Sequence, residues 1–488
     1  MKSRLLVLLE PANEISSPST SFIELCGIRW VLNEYANSYD APPYTCISYA
    51  WMKDAKENPF HAGQRMSART IPVIETVVKT SRSPENWNSV QISLDPQKDA
   101  AAKSEAIAAT QALWIDALCV PQQEPARTLC VQRMGEIYSS AWQVFVVLPE
   151  SCSPVFRQIR TADRIDTTAL LIFESDEWIT RAWTYQETVN SRALYFIGQN
   201  DEGLIVSGTD FLNIVLTAND KCRDSHGIDV FTWNEQHPCL DSLVTLIADY
   251  RIAAYSERSA YQVMVAMHPR LAERDDDYFY AMIGAITKTT LDIDGVERLS
   301  PSEYFMRVCE AKGDYSFIYN IARRNEALGK RWRPIEGRFQ PVVPALLIFG
   351  DGQSGCVKPT HIQLENMCRL GTGTMSPDGL KATLAYLPKD RNFSSSHDIA
   401  AAVLDRLRRK GFSGCGEYFE LECGFFFPQS MPVRLEDIFF ALSPDVRWNG
   451  GCPGLLLCSN GADIVDFLCV GAFVGRVPKK GEESICVG

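Results

Sequence analysis

The sequence predicts an α/β protein whose N-terminal domain holds a parallel sheet, followed by a helical region and a β-rich C-terminal region. Apolar runs alternate with helix-spaced segments over residues 113–197. Helical patterns then fill the middle of the chain, and short apolar runs among glycines and prolines follow residue 330. Alternating strands and helices are typical of a parallel sheet covered by helices. The predicted domains are residues 1–210, 211–330 and 331–488.

The first predicted elements precede this alternation. The apolar run at residues 5–9 predicts a strand, and so does Tyr44-Thr-Cys-Ile-Ser-Tyr-Ala-Trp51, which is rich in β-branched and aromatic residues. The polar residues 53–67 predict a loop. Composition predicts helices over residues 71–80 and 100–112.

The alternation itself runs from a strand at residues 113–116 to a strand at residues 193–197. Apolar residues at helix spacing predict a helix over residues 127–141. The continuous apolar run at residues 143–148 is typical of a strand buried on both faces of a parallel sheet. A second helix is predicted over residues 178–190, which completes a βαβαβ order.

Further along the chain, the patterns change from helical to strand-like. Helices are predicted at residues 241–267, 278–287 and 302–311. The apolar runs that predict C-terminal strands are residues 342–349, 424–427, 454–458 and 467–474.

Composition excludes several classes of function. The chain has 48 Lys and Arg against 60 Asp and Glu, a net charge of −12, which argues against a chain-wide interaction with nucleic acid or an anionic membrane. The apolar runs fall short of the roughly 18 residues that span a bilayer, and the N-terminal run is too short for a signal peptide. We therefore expect a cytoplasmic protein whose 16 cysteines are reduced thiols. No metal site is expected, because the histidines and cysteines lack the usual ligand spacing.

A glycine-rich segment at residues 350–355 has the spacing G-x-G-x-x-G. The dinucleotide-binding fingerprint needs a helix directly after these glycines. Pro359 disfavours a helix there because it restricts the preceding residue. The sequence therefore predicts a glycine-rich turn and no nucleotide cofactor.

Three ordered blocks of the sequence resemble the heterokaryon incompatibility (HET) domain of fungi. The first is the strand ending at Trp51, which resembles the motif SY-x-W, although Met52 stands where family members often carry glycine. Leu113-Trp-Ile-Asp-Ala-Leu-Cys-Val-Pro-Gln122 with Met134-Gly-Glu-Ile-Tyr138 resembles the central block. Trp178 with Arg181-Ala-Trp-Thr-Tyr-Gln-Glu187 resembles W-x-x-R-x-W-x-x-QE. The likeness covers residues 40–290.

The resemblance implies a fold and a candidate catalytic residue. HET domains are distantly similar to TIR domains, which are flavodoxin-like signalling modules, some of which cleave NAD⁺. In those enzymes the glutamate of a Trp-x-x-x-Glu helix is catalytic, which implies Glu187 here, with Trp183 on the same helix face. A carboxylate beside the ribose would stabilise the positive charge that develops as nicotinamide leaves.

Other residues are candidates for binding the substrate. Asp116 ends a predicted parallel strand, where open α/β sheets bind ligands. Arg181 is a candidate partner for a phosphate or for a carboxylate. The remaining candidates, at the end of a neighbouring strand, are Ser48, Tyr49 and Trp51.

Each candidate also has a purely structural interpretation. Glu187 fits a surface or salt-bridged carboxylate, and Asp116 fits a cap for the following turn. Arg181 is also consistent with a structural ion-pair partner of Glu187 or Asp116. Core packing is the corresponding interpretation of the motif tryptophans, Trp51, Trp114, Trp178 and Trp183.

The resemblance implies a role in self/non-self recognition or innate-immunity-like signalling that ends in cell death. One hypothesis is an NAD⁺ glycohydrolase that acts through Glu187, with NAD⁺ as its substrate rather than a cofactor. The alternative is a non-catalytic module that self-associates and recruits partners. An unidentified protein trigger is expected in both cases.

Overall fold

The computed structural model describes residues 6–12, 21–51, 54–92, 96–121, 123–200, 203–252, 258–287, 299–335, 337–344, 350, 352–374, 395–433, 435–479, 481 and 483–488. The chain divides into two compact units. Unit 1 comprises Met1–Ile252 with Thr287–Thr290, and unit 2 comprises Ala253–Ile286 with Leu291–Gly488.

Unit 1 is built from short strands and helices. Its strands are β1 (Leu6–Pro11), β2 (Ile23–Leu25), β3 (Ile28–Tyr35), β4 (Thr45–Ser48), β5 (Ala55–Glu57), β6 (Arg65–Ser67), β7 (Leu113–Trp114), β8 (Gln143–Leu148), β9 (Leu194–Gly198) and β10 (Val206–Ser207). Its helices are α1 (Thr70–Arg82), α2 (Pro96–Ala109), α3 (Asp116–Cys119), α4 (Ala126–Gln132), α5 (Met134–Ser140), α6 (Ser153–Ala162), α7 (Thr167–Glu174), α8 (Glu177–Thr180), α9 (Ala182–Val189), α10 (Gly208–His226), α11 (Val230–Gln236) and α12 (Pro238–Ile252).

The main sheet of unit 1 confirms the predicted parallel α/β arrangement. Its strands lie in the order β10-β9-β8-β4-β7-β1-β3-β2. The pairs β4–β7, β4–β8 and β8–β9 are parallel, whereas β1 pairs with β7 antiparallel. When the parallel strands β4, β7, β8 and β9 are numbered 1 to 4 in chain order, their order in the sheet is 2-1-3-4. A flavodoxin-like sheet begins with the same strand order. The strand order therefore reverses at β4, and the carboxyl ends of β4 and β8 form the topological switch point where such sheets bind ligands.

Burial explains why the central strands form. All four residues of β4 and all six residues of β8 are buried, which matches their continuous apolar character. Strands covered on both faces are typical of parallel sheets.

Two predicted helices are in fact interrupted. The helix predicted over residues 127–141 is divided into α4 and α5 at Arg133. The helix predicted over residues 178–190 is divided into α8 and α9 at Arg181, whose backbone is extended (φ −71°, ψ 140°). The hydroxyl of Thr184 donates to the carbonyl oxygens of Trp178 (2.7 Å) and Arg181 (2.8 Å). These contacts place one hydroxyl donor beside the two carbonyl oxygens at the break between α8 and α9.

The predicted loop at residues 53–67 also differs from the structure. It contains β5 and β6, which pair antiparallel from Ala55–Ser67 to Glu57–Arg65. The pattern failed here because each strand has three residues, too few to show an alternation of apolar and polar side chains.

Unit 2 confirms the predicted helical middle and β-rich C-terminal region. Its helices are α13 (Ala260–Met267), α14 (Asp275–Ile286), α15 (Pro301–Lys312) and α16 (Ser396–Arg409). Its strands are β11 (Gly355–Val357), β12 (Ile362–Leu370), β13 (Phe419–Leu421), β14 (Gly424–Pro428), β15 (Ile438–Leu442), β16 (Gly451–Cys458), β17 (Ile464–Gly475) and β18 (Glu483–Val487).

The strands of unit 2 form a second sheet, in the order β11-β12-β15-β16-β17-β14-β13. The last strand, β18, pairs with both β12 and β17 and so closes β12, β15, β16, β17 and β18 into a ring. Buried aromatic and aliphatic side chains fill one core of this sheet, among them Phe426, Phe440, Leu456 and Phe473.

The structure bears on two further sequence expectations. All 16 cysteines are free thiols. Among the described residues, no helix is both long enough and apolar enough to cross a membrane.

The glycine-rich segment leads into a strand, as expected for a turn. Gly355 begins β11, so no helix opens after the glycines. Gly352 has φ +100° and lies against Asp314, whose Oδ1 accepts the backbone N–H groups of Ser316 (2.9 Å) and Gln353 (3.1 Å). A Cβ atom at position 352 would lie 2.6 Å from Asp314 Oδ1. The glycine therefore serves close packing within unit 2.

We expect Gly352→Ala to destabilise unit 2 by at least about 2 kcal/mol, because alanine disfavours this φ and its methyl group would displace Asp314. Gly371→Ala is the matched control, since a Cβ atom there meets nothing within 4 Å and its φ is ordinary. Urea unfolding measures both variants. Equal stabilities for the two would contradict the role assigned to Gly352.

Candidate functional site

A hydrogen-bonded chain of side chains lies at the carboxyl end of β4. Ser48 is the last residue of β4, and its hydroxyl donates to Glu187 Oε2 on α9. The indole Nε1 of Trp178 on α8 donates to Ser48 Oγ over 2.9 Å. All three side chains are buried, and Glu187 is 5% exposed. The short helices on either side of the break at Arg181 thus both contact the switch point of the sheet.

Tyr138 is a second neighbour of Glu187. This tyrosine, on α5, is 1% exposed, and its hydroxyl lowers the pKa of the Glu187 carboxyl group. Its ring packs edge-to-face against Trp114, with ring centroids 5.3 Å apart. Hydroxyl groups from two different elements therefore favour the ionised form of Glu187. The sequence contained a signal for Tyr138 in the block Met134-Gly-Glu-Ile-Tyr138, but did not indicate its contact with Glu187.

The surroundings of Glu187 shift its ionisation toward neutral pH. Burial raises the pKa of this carboxyl group from 4.5 to about 7. The hydrogen bond from Ser48 opposes that rise in pKa, the negative charge of Asp116 adds to it, and Arg181 and Tyr138 oppose it. Glu187 is therefore neither a surface carboxylate nor a fully ionised one at pH 7.

Asp116 lies at the start of α3, directly after β7. Its Oδ1 accepts the backbone N–H of Ala117 over 2.7 Å, and its Oδ2 accepts Trp51 Nε1 over 3.1 Å. The side chain is half-buried. The bond from the Ala117 N–H is the one expected if Asp116 caps the following turn. The bond from Trp51 joins the first and second sequence blocks at the same edge of the sheet.

The remaining candidates differ in how accessible they are. Arg181 and Trp183 are half-buried, as is Trp51. Tyr49 is 5% exposed, and its hydroxyl lies 2.7 Å from Thr70 Oγ1 on α1. Burial, and then the charge of Asp116, hold the pKa of Tyr49 well above its ordinary value. The structure thus gathers the predicted residues at one edge of the sheet, with half-buried side chains around the buried Glu187.

Arg69 is a residue of this edge that sequence reasoning missed. Its guanidinium donates to the carbonyl oxygens of Ala50 (2.9 Å) and Val147 (3.3 Å) and to Gln199 Oε1 (2.9 Å). These partners follow or end β4, β8 and β9, so one buried cation ties three carboxyl ends together. No local pattern predicts this, because the partners are far apart in the sequence.

Comparison with known families assigns the first part of this site. Residues 44–169 match the family model described as heterokaryon incompatibility protein (HET). This stretch of the chain is similar to a HET domain. No curated protein and no solved structure matches it. The match confirms the resemblance inferred from the sequence and supports a role in heterokaryon incompatibility and cell death.

The HET match includes part of the site residues and ends before the rest. Ser48, Tyr49, Trp51 and Asp116 lie within residues 44–169. Arg181, Trp183 and Glu187 follow the matched range, on or beside α9. The structure nevertheless joins the two groups through the hydrogen bond between Ser48 and Glu187.

Metal ligation finds no support in the described part of the chain. No group of three or more His, Cys, Asp or Glu side chains there is arranged to hold a metal ion.

The residue before Glu187 has an unusual environment. Gln186 is fully buried, yet neither its amide nitrogen nor its amide oxygen has a hydrogen-bond partner among the described residues. An unpaired buried polar group costs about 1–3 kcal/mol of folding free energy. The amide of Gln186 therefore carries such a cost within unit 1.

We expect the stability of the protein to fall as the pH rises through the pKa of Glu187. Its folded-state pKa lies above its unfolded value, so the stabilising contribution is complete at low pH and is lost as the pH rises through about 7. The isosteric variant Glu187→Gln lacks this titration. Between about pH 5 and about pH 8, the wild type should lose about 2–3 kcal/mol of unfolding free energy relative to Glu187→Gln.

Urea unfolding of both proteins at the two pH values measures this difference. The matched control is Glu177→Gln, the same change at an exposed position on α8, which should leave the pH dependence of the wild type unchanged. A difference between wild type and Glu187→Gln that does not vary with pH would contradict the raised pKa.

Proposed function

We propose that this HET-domain protein is an NAD⁺ glycohydrolase whose activity ends in cell death during self/non-self recognition or innate-immunity-like defence. The observation that supports it is the carboxyl group of Glu187, buried at the switch point and hydrogen-bonded to Ser48. Ligands of open α/β sheets bind at such a point. The proposal also draws on the resemblance to NAD⁺-cleaving TIR domains.

The reaction breaks the bond between the ribose C1′ and the pyridinium nitrogen. Both electrons of that bond pass to the nitrogen, so nicotinamide leaves as a neutral base and needs no general acid. The ribosyl group acquires oxocarbenium character, and the Glu187 carboxylate stabilises that positive charge. Water then adds to C1′ and releases a proton, giving ADP-ribose.

Burial makes Glu187 suited to this role. A carboxylate in a low-dielectric site interacts strongly with a nearby positive charge. The hydroxyl group of Ser48 fixes its position, so that little reorganisation accompanies the reaction. A bound pyridinium cation would lower the pKa of Glu187 and so favour the ionised form when the substrate is present.

The half-buried residues around Glu187 supply the proposed binding contacts. Trp183 and Trp51 offer aromatic faces to the nicotinamide and ribose rings. Arg181 would bind the pyrophosphate, because a guanidinium is suited to phosphate oxygens. Asp116 would accept hydrogen bonds from the ribose hydroxyl groups.

A non-catalytic module remains the second candidate function, favoured by the low exposure of Glu187. At 5% exposure, this carboxyl group has the environment of a residue that joins β4 to α9 for stability. On this alternative, the α/β unit self-associates and recruits partners, and its tryptophans serve packing alone.

We expect purified full-length protein to consume NAD⁺ and Glu187→Gln to lose this activity by at least about a hundredfold, because the transition-state charge loses its counterion. Glu177→Gln should retain full activity, since its side chain is exposed on α8. Chromatography of ADP-ribose and nicotinamide measures the products. Equal turnover by wild type and Glu187→Gln would remove Glu187 from the mechanism.

The same variants test the non-catalytic alternative when they are expressed in cells. Toxicity that survives Glu187→Gln, but is lost with surface changes that prevent self-association, would support the scaffold and contradict the hydrolase.

We expect kcat/KM to rise with pH and to level off above about pH 7, because kcat/KM reports the pKa of the free enzyme and the ionised Glu187 is the active form. Ser48→Ala should move this midpoint to higher pH, since it removes a hydrogen bond that lowers the pKa of Glu187. A pH profile with the same midpoint in both proteins would contradict the role of Ser48.

A further inference from the structure

The amide of Gln186 lies in the interior of unit 1. Both amide atoms are buried, and neither has a partner in the part of the chain that the structure describes. The buried Gln143 differs at its amide nitrogen, because its Nε2 donates to Thr45 Oγ1 (3.1 Å) and to the carbonyl oxygen of Ala106 (2.8 Å), whereas its Oε1 also has no partner among the described residues. Gln186 is thus unpaired at both amide atoms, and Gln143 at one.

The position of Gln186 connects it to the proposed site. It directly precedes Glu187 on α9, and Trp183 lies three residues before Gln186 and four before Glu187. On a helix, side chains at these spacings are neighbours. Trp183 therefore adjoins both the unpaired amide and the buried carboxyl group. The opposite side of the helix is fixed by Tyr185, whose hydroxyl donates to Asp249 Oδ2 on α12 over 2.6 Å.

We propose that Gln186 recognises the carboxamide group of the nicotinamide ring through a pair of hydrogen bonds between the two amides. This inference rests on the proposed function. A primary carboxamide presents one donor side and one acceptor side, which are complementary to the two unpaired atoms of Gln186. Pairing would satisfy both groups at once and would select nicotinamide over ring systems that lack the amide.

The nicotinamide end of the dinucleotide fits better than the adenine end. Adenine also presents an adjacent donor and acceptor that a glutamine can bind. The nicotinamide ring, however, is attached directly to the ribose that Glu187 would contact, whereas two phosphates and a second ribose separate adenine from that carbon. Adjacent residues on one helix therefore favour the carboxamide.

Access to Gln186 requires neighbouring side chains to move, because Gln186 and Glu187 are both buried. Trp183, their neighbour at helix spacing, is half-buried, and its indole makes no hydrogen bond to a described residue. A change of rotamer at Trp183 would thus break no such bond while exposing more of this helix face. The indole would then be placed to stack on the pyridine ring.

Equilibrium binding to full-length protein tests the inference without turnover. The protein carries Glu187→Gln to prevent hydrolysis, and calorimetry compares three ligands: NAD⁺, nicotinic acid adenine dinucleotide and nicotinamide hypoxanthine dinucleotide. The second ligand replaces the carboxamide with a carboxylate, and the third changes only the adenine edge. We expect NAD⁺ and the hypoxanthine analogue to bind alike, and the nicotinic acid analogue to bind at least about tenfold more weakly.

Adding Gln186→Leu should abolish this discrimination by weakening only the two carboxamide ligands. Gln143→Leu is the matched control and should keep it, because Gln143 lies at the opposite end of β8. Gln186→Met provides a second variant should the leucine unfold the protein. Gln186→Leu should also leave the melting temperature unchanged or raised, since it breaks no hydrogen bond, whereas Gln143→Leu should lower it.

Three results would overturn the inference: no dinucleotide binds, the carboxamide is not discriminated, or Gln186→Leu weakens the two adenine-containing ligands and leaves binding of the hypoxanthine analogue unchanged. The wild-type protein could hydrolyse NAD⁺ in a Glu187-dependent way while the binding experiment shows no discrimination of the carboxamide. That pair of results would overturn this inference alone. Discrimination that depends on Gln186, in a protein without hydrolysis, would overturn the proposed function alone.

Discussion

The hydrogen bond from Ser48 to Glu187 is the contact on which the architecture of the site depends. It joins the end of β4, at the point where the order of the parallel strands reverses, to a helix 139 residues further along the chain. Trp178 donates to the same hydroxyl from the preceding short helix. The break at Arg181 lets α8 and α9 approach this point separately, and a single continuous helix would lack that freedom.

The same contact places a carboxyl group where burial opposes its charge. Desolvation favours the neutral form of Glu187, and the hydroxyl groups of Ser48 and Tyr138 favour the ionised form. The pKa of Glu187 that results from these opposing effects is about 7. Such a pKa is expected of a group that changes its protonation during function. Structural carboxyl groups in a core can have such values too. A cationic ligand would separate the two interpretations, because it would shift the balance toward the carboxylate.

Much of the fold could be predicted from the sequence, because its signals are local. The continuous apolar run of β8 and the aromatic, β-branched run of β4 identified the parallel sheet. The interruption at Arg181 could not be predicted, since Trp178, Ile179, Ala182 and Tyr185 keep the apolar spacing of one helix across the break. The closure of the second sheet by β18 depends on pairing with strands distant in the sequence, which no local pattern records.

The site, like the fold, could be predicted only in part from the sequence. Glu187 and the residues around it were found by resemblance to family blocks, and the structure then supplied their contacts. Tyr138 stood within a quoted block, but its effect on the pKa of Glu187 became visible only in three dimensions. Arg69 and the unpaired amide of Gln186 have no sequence signal, because each is defined by partners, or by a lack of partners, in the folded chain.

The most direct measurement is the titration of the Glu187 side chain itself, followed by ¹³C NMR of the labelled carboxyl carbon in full-length protein, with Glu187→Gln used to assign the signal. The account predicts a midpoint at about pH 7 for the free protein and a lower midpoint when NAD⁺ is bound. An ordinary midpoint near 4.5, with no response to NAD⁺, would contradict it.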